Sequence, residues 1–118
     1  MKTLDIIIAW LLIVFGAVHL SLTRRVHPSL DINGVWFMTG GLFLITIGAL
    51  NLLRVAYSSV AKGVHVVSVI ANIVLLLLML FIATLLPMRS NPQVAVGLIL
   101  AALLTAFSLL RRAPAHAA

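Results

Sequence analysis

The chain has 118 residues, of which 64% are hydrophobic and only 8% are charged. Soluble domains average about 45–50% apolar and about 25% charged residues, so this composition excludes a soluble globule, and its high hydrophobicity excludes a disordered chain. The mean hydropathy of +1.27 places the chain in the lipid bilayer, and its length allows one small membrane domain.

Four apolar segments follow one another along the chain. They cover residues 4–22, 34–53, 60–86 and 92–110. Each approaches or exceeds the roughly 20 residues that cross a ~30 Å hydrocarbon core. Each segment must be helical, because unpaired backbone groups are costly in lipid. We therefore expect an all-α, four-helix transmembrane bundle of the up-down-up-down type, with residues 1–118 forming a single integral membrane domain.

The formal net charge of +6 does not indicate nucleic-acid binding, because no basic stripe with interleaved aromatic residues exists. The basic residues lie instead at the ends of the apolar segments, where they anchor helices at lipid headgroups. One face of the predicted bundle holds Lys2, Arg54, Lys62, Arg111 and Arg112, and the other holds Arg24, Arg25 and Arg89. This asymmetry predicts cytoplasmic termini, with the bilayer of a bacterial inner (plasma) membrane as the surroundings.

The first segment is predicted to be a retained helix, because Asp5 disturbs a signal-peptide pattern and no A-x-A site follows. Ala9, Gly16 and His19 share one face of this helix. The face is typical of a packing seam in which His19 extends to the outer interface. The alternative is that His19 faces a cavity for an amphipathic molecule such as a quinone. We favour packing, because no second polar group is predicted beside His19.

Catalysis and proton-coupled exchange are both excluded by missing residue types. Glutamate does not occur, and Asp5 and Asp31 lie at or outside helix ends. Small multidrug exporters have this length and four spans, but they depend on a glutamate in the first helix. Cysteine is also absent, and no buried pair of catalytic groups can be assembled. We expect no enzyme and no catalytic residue.

Four histidines raise the question of haem or another metal, and they are His19, His27, His65 and His116. His19 lies near the outer end of the first helix, while His65 lies near the inner start of the third. Their depths differ by roughly 20–25 Å at ~1.5 Å per residue, so one iron atom cannot bind both. His27 and His116 lie in a loop and a tail. The sequence therefore predicts no cofactor and no metal.

The third helix carries the best polar cluster. His65, Ser68 and Asn72 lie within ~60° of one another on a helix, and Asn51 of the second helix lies at the same depth. One interpretation is that these four residues hold helices together through hydrogen bonds. The alternative is a polar site open to the cytoplasm, in which His65 titrates near neutral pH. The sequence favours the first interpretation.

Two small-residue faces on the fourth helix indicate two packing partners. One face comprises Gly97, Ala101, Thr105 and Ser108, and the other comprises Ala95, Ala102 and Ala106. A terminal helix of a monomeric bundle needs only one such face, so the second indicates another copy of the chain or a larger membrane complex. The leading expectation is thus a structural or accessory membrane protein that self-associates. The alternative is a small permeation or ligand-binding bundle built around the His65 cluster.

Overall fold

The structure, a computed structural model, describes residues 2–111. The helices in this range are α1 (Lys2–Ser21), α2 (Thr23–Val26), α3 (Ile32–Tyr57), α4 (Lys62–Leu85) and α5 (Pro92–Leu110). The short α2 continues α1, and the four resulting units are each long and apolar enough to cross a membrane. The described residues contain no strand, so the all-α prediction is confirmed for this part of the chain.

The largest difference from the predicted boundaries concerns α3, which was predicted to cover residues 34–53. It begins earlier because the Asp31 side chain accepts a hydrogen bond from Gly34 N at 2.9 Å and caps the helix. It also continues to Tyr57, so Arg54 lies inside the helix rather than in a connection. Only 2% of the Arg54 side chain is exposed. The prediction that Arg54 anchors the chain at lipid headgroups is therefore wrong.

Glycines allow α1 and α3 to pack with their backbones in close contact. A Cβ atom built on Gly41 would lie 2.9 Å from the Gly16 carbonyl oxygen, and one on Gly16 would lie 2.7 Å from the Gly41 oxygen. A Cβ atom on Gly48 would likewise lie 2.9 Å from the Ala9 oxygen. Any larger residue at these positions would push the two helices apart.

The second close helix pair is α4 with α5, and the apolar core lies between the two pairs. The buried core side chains are Ile8, Ala9, Leu12, Leu44, Ile47, Leu75, Met79, Val94, Leu100, Ala101 and Leu104. Side-chain contacts bring the starts of α1 and α4 together with the ends of α3 and α5, and we call this the Asp5 end. The opposite end of the bundle is called the His19 end.

The outer surface of the bundle is apolar along its length. Large side chains such as Trp10, Leu77 and Phe81 are more than half exposed, at 54%, 61% and 61%. Soluble monomers rarely show continuous apolar surfaces larger than a few hundred Å². Surfaces of this kind are typical of proteins whose helices contact lipid or other transmembrane helices.

Candidate functional site

A buried ion pair lies at the Asp5 end. Asp5 is in the first turn of α1, and its side chain is completely buried. Arg54 donates from Nη2 to Asp5 Oδ1, and Arg111 donates from Nη1 to Asp5 Oδ2 at 3.2 Å. Arg111 is 30% exposed. The Asp5 carboxylate on α1 thus binds one guanidinium group from α3 and one from the residue that follows α5. A buried charge needs such oppositely charged partners.

Two asparagines continue this set of contacts into α4. Asn51 Nδ2 donates to Asn72 Oδ1 at 2.7 Å, and Asn72 Nδ2 donates to Asn51 Oδ1 at 2.9 Å. Asn51 Nδ2 also donates to the Ile47 oxygen, and Asn51 Oδ1 accepts from Arg54 Nε at 3.2 Å. Both amides are fully buried. All the hydrogen-bonding groups of Asn51 are therefore used within the protein.

Two further bonds join α4 to α5. Asn72 Nδ2 donates to the Leu104 oxygen at 3.3 Å, and the Thr105 hydroxyl lies 3.1 Å from the Asn72 carbonyl oxygen. The resulting chain of contacts reaches all four long helices. We call it the Asp5 network, and its side chains are Asp5, Asn51, Arg54, Asn72, Thr105 and Arg111. Such interhelical bonds are each worth about 0.6 kcal/mol on average in a membrane protein.

The structure brings together only part of the predicted His65 cluster. Asn51 and Asn72 are bonded to each other, and the Ser68 hydroxyl lies 2.7 Å from the Val64 oxygen and 3.3 Å from the Leu50 oxygen. His65 is not part of these contacts, because its Nδ1 atom is buried without a hydrogen-bond partner. The imidazole instead lines a shallow hollow of about 380 Å³ beside Ser108.

A larger cavity lies at the His19 end, between the α1–α3 pair and the α4–α5 pair. Its volume is about 690 Å³, within the range of about 300–1,000 Å³ that is usual for small-molecule sites. We call it the His19 cleft. Its lining residues are Phe15, Val18, His19, Leu22, Val26, Trp36, Phe37, Gly40, Phe43, Leu44, Leu75, Leu78, Met79, Ile82, Leu86, Asn91, Gln93 and Val94.

The cleft is partly open, and apolar side chains of α1 and α4 are exposed along it. Val18 and Leu22 on α1 are 50% and 38% exposed, and Leu78 and Leu86 on α4 are 41% and 43% exposed. These apolar side chains line the cleft and also reach the surface. A hydrophobic molecule could therefore reach the cleft over apolar side chains.

His19 is held in one orientation on the wall of the cleft. Its Nε2 atom lies 3.0 Å from the carbonyl oxygen of Phe37, and its ring stacks on the Phe37 ring with centroids 3.9 Å apart. The His27 ring also contacts the Phe37 ring, at a tilt and with a centroid distance of 5.5 Å. A Cβ atom on Gly40 would lie 3.4 Å from His19 Nε2, so the imidazole packs directly against α3 at this position.

The polar groups of the cleft come from two helices. His19 belongs to α1, while Asn91 and Gln93 lie at the start of α5. Gln93 Nε2 donates to Asn91 Oδ1 at 3.2 Å. The sequence indicated no second polar group on this side of the bundle, whereas in the structure Asn91 and Gln93 line the same cleft as His19. The sequence feature that could have predicted these polar groups is the Asn-Pro-Gln start of the last helix. In an up-down-up-down bundle this start lies at the same end as the end of the first helix.

The two small-residue faces of α5 have different surroundings. Gly97, Ala101, Thr105 and Ser108 are buried in the bundle. On the opposite face, Ala102 and Ala106 are exposed and Ala95 is partly buried. Within the described residues this second face has no helix against it. His116 and Arg112 lie outside the described residues.

The buried pair of Asp5 and Arg54 was not predicted from the sequence. Asp5 was placed correctly at a helix end. A lone acidic residue beside an apolar segment nevertheless indicates a buried charge that needs a partner. Arg54 follows Asn51 by three residues, so both occupy one face of α3. The two signals together indicated a polar contact to α1 at this depth.

Comparison of the chain with family models, curated proteins and solved structures finds no match.

Proposed function

We propose that the chain is a four-span integral membrane protein that binds an amphipathic molecule from the bilayer in the His19 cleft. The observation that carries this proposal is the cleft itself, which has about 690 Å³ of space, aromatic and aliphatic walls and a few polar groups. Sites for small molecules have this composition. The proposed activity is binding alone, without a chemical step.

The proposed arrangement in the membrane is up-down-up-down with both termini in the cytoplasm. It is supported by the count of basic residues in the sequence. Without the buried Arg54, this count is four for the face with the termini (Lys2, Lys62, Arg111 and Arg112) and three for the other face (Arg24, Arg25 and Arg89). The Asp5 end then lies in the cytoplasmic leaflet of a bacterial inner membrane. Reporter fusions after Arg25 and Lys62 test this arrangement, and activity of a periplasmic reporter only after Lys62 would contradict it.

We further propose that the Asp5 network is structural and is not the binding site. Its two asparagine amides are buried and bonded to each other, so they offer no free group to a ligand. This moves the proposed ligand-binding bundle from the His65 cluster to the His19 end. There the structure has both empty volume and polar side chains.

Fluorescence of Trp36, which lines the cleft, provides the test of binding. In a Trp10→Phe background Trp36 is the sole tryptophan, since the chain has two. A brominated single-chain amphiphile should quench it with a saturable dependence on concentration. Val18→Phe, which narrows the cleft, should weaken this quenching.

The matched control is Val14→Phe, because Val14 is also about half exposed on α1 but does not line the cleft. It should leave the quenching of Trp36 unchanged. Quenching that increases linearly with the amphiphile and is equal in both variants would contradict the proposal, because it would report only general contact with the lipid.

A second candidate function is that of a self-associating or accessory membrane component. It is supported by the exposed Ala102 and Ala106 on the outer face of α5, where another helix could approach closely. Native mass spectrometry from lipid nanodiscs tests this candidate. We expect a dimer or larger assembly that Ala102→Leu with Ala106→Leu disrupts, and a monomer in every lipid tested would contradict it.

A further inference from the structure

We propose that the ligand of the His19 cleft is a single-chain lipophile whose head group is a hydroxyl, and that this hydroxyl donates a hydrogen bond to His19 Nδ1. This inference deepens the proposed binding function and rests on it. It follows from the hydrogen bonding of His19, the position of its ring on the wall of the cleft and the size of the cleft.

The first step concerns the proton on the imidazole. His19 Nε2 lies 3.0 Å from the carbonyl oxygen of Phe37, which can only accept a hydrogen bond. Nε2 must therefore carry a proton and donate it. In the neutral ring the other nitrogen, Nδ1, then has a lone pair and no proton.

The second step concerns the availability of Nδ1. No hydrogen bond to this atom is found within residues 2–111, and it is not among the fully buried unpaired atoms, which are Thr23 Oγ1 and His65 Nδ1. The imidazole lines the cleft and is fixed by its stack on Phe37. A hydrogen-bond acceptor without a partner is thus available on a ring that lines a mostly apolar cleft.

The third step is the choice of head group. A lone pair in apolar surroundings selects a donor, so a hydroxyl fits, whereas an ester, a ketone or an oxidised quinone presents only acceptors. A carboxylate is also excluded, because it would bring an unpaired negative charge to a neutral acceptor. The quinone considered from the sequence therefore fits this tautomer less well than a hydroxyl compound.

The final step concerns the rest of the ligand. The cleft of about 690 Å³ has the size of a site for one drug-sized molecule. Apart from His19, Asn91 and Gln93, its walls are Phe15, Phe43, Leu75 and other mainly apolar side chains. The amide groups of Asn91 and Gln93 already donate hydrogen bonds within the protein. A single hydrocarbon chain attached to the hydroxyl would occupy these walls and extend towards the opening.

The test compares three brominated probes of equal chain length at pH 8, where imidazole is uncharged in water. They are 9,10-dibromo-octadecanol, the methyl ester of 9,10-dibromostearic acid and 9,10-dibromo-octadecane. Quenching of Trp36 is measured in the Trp10→Phe protein. We expect the alcohol to bind about fivefold more tightly than the ester or the alkane, as one hydrogen bond allows.

His19→Phe keeps an aromatic ring beside Phe37 and removes the acceptor, so it should abolish the preference for the alcohol. The matched control is His27→Phe, because His27 also contacts Phe37 but does not line the cleft. It should retain the preference. If His19→Phe does not fold, the order of the three probes in the otherwise unchanged protein still tests the inference.

The possible outcomes separate this inference from the proposed function. Saturable binding of all three probes with equal affinity would overturn the hydroxyl assignment and leave the binding function supported. Tighter binding of the ester would also overturn it. Saturable binding of none of the probes would overturn both proposals.

Discussion

The two ends of the bundle differ in how the α1–α3 pair is joined to the α4–α5 pair. At the Asp5 end, an ion pair and a series of side-chain hydrogen bonds connect all four long helices. At the His19 end, the one hydrogen bond between long helices within residues 2–111 runs from His19 to Phe37, inside the α1–α3 pair. The cleft lies where such bonds are missing.

This difference follows from the physics of helix association in lipid. Apolar side chains gain little by leaving lipid for another apolar surface, so helices associate through close packing and polar contacts. The Asp5 network supplies polar contacts at one end only. Consequently, polar contacts join the α1–α3 pair to the α4–α5 pair at the Asp5 end. At the His19 end no such contacts join the two pairs in the described residues, and the space between them can hold a ligand.

The largest expected effect is on the ion pair. Arg54→Met should lower the free energy of unfolding by about 3–5 kcal/mol, because it leaves the buried Asp5 carboxylate with Arg111 alone. Thermal unfolding in detergent measures the loss. Arg24→Met, which changes an exposed arginine at the His19 end, should have almost no effect.

The second partner of the pair provides a further control. Adding Asp5→Leu to Arg54→Met should recover part of the lost stability, because no unpaired buried carboxylate remains. If Arg54→Met unfolds at the temperature of the unchanged protein, the ion pair does not hold the Asp5 end closed.

A smaller loss is expected at the glycine contact between α1 and α3. Gly41→Ala should cost about 1–3 kcal/mol, because its Cβ atom would overlap the backbone of α1 at Gly16 and Leu20. Gly63→Ala on α4 is the matched control, since nothing lies within 4 Å of a Cβ atom there. Equal unfolding temperatures for the two variants would contradict the close packing of this pair.

The asparagine pair should contribute less than the glycine contact. Asn72→Leu should lower the free energy of unfolding by about 1–2 kcal/mol, because the Asn51 amide loses its partner while it stays buried. The double variant with Asn51→Leu should be less destabilised than the sum of the two single variants. Strict additivity, measured by the same unfolding assay, would indicate that the two amides act independently.

The smallest effect is expected in the cleft. Leu78→Ala should change the free energy of unfolding by less than about 0.5 kcal/mol, because Leu78 is 41% exposed and lines an open space. The control is Leu12→Ala in the core, because the Leu12 side chain is 0% exposed and does not line the cleft. This variant should lose about 2–5 kcal/mol. Comparable losses in both variants would show that the cleft wall is packed.

The helices were predictable because segment length and hydropathy determine which residues can cross a bilayer, and α5 has the predicted bounds. The end of α3 was not predictable, because an arginine at the end of an apolar segment is typical of a headgroup anchor. Its true partner, Asp5, lies on another helix. The pairing of Asn51 with Asn72 could be anticipated from equal depth. The His19 cleft could not be predicted. Its volume depends on the spacing between four helices, and the sequence of one segment does not determine that spacing.

The central claim is that the bundle is closed at the Asp5 end and open at the His19 end. The chain has no cysteine, so spin labels can be attached at chosen positions without background. Pulsed electron paramagnetic resonance would measure the distance between two spin labels in each of two double variants. One double variant, Val18→Cys/Leu78→Cys, carries its labels at the cleft. The other, Ile7→Cys/Val67→Cys, carries them near the Asp5 network. The account predicts a broad distance distribution across the cleft that narrows with 9,10-dibromo-octadecanol, and a narrow, unchanged one near the network. Equal widths at both ends, unaffected by the alcohol, would contradict it.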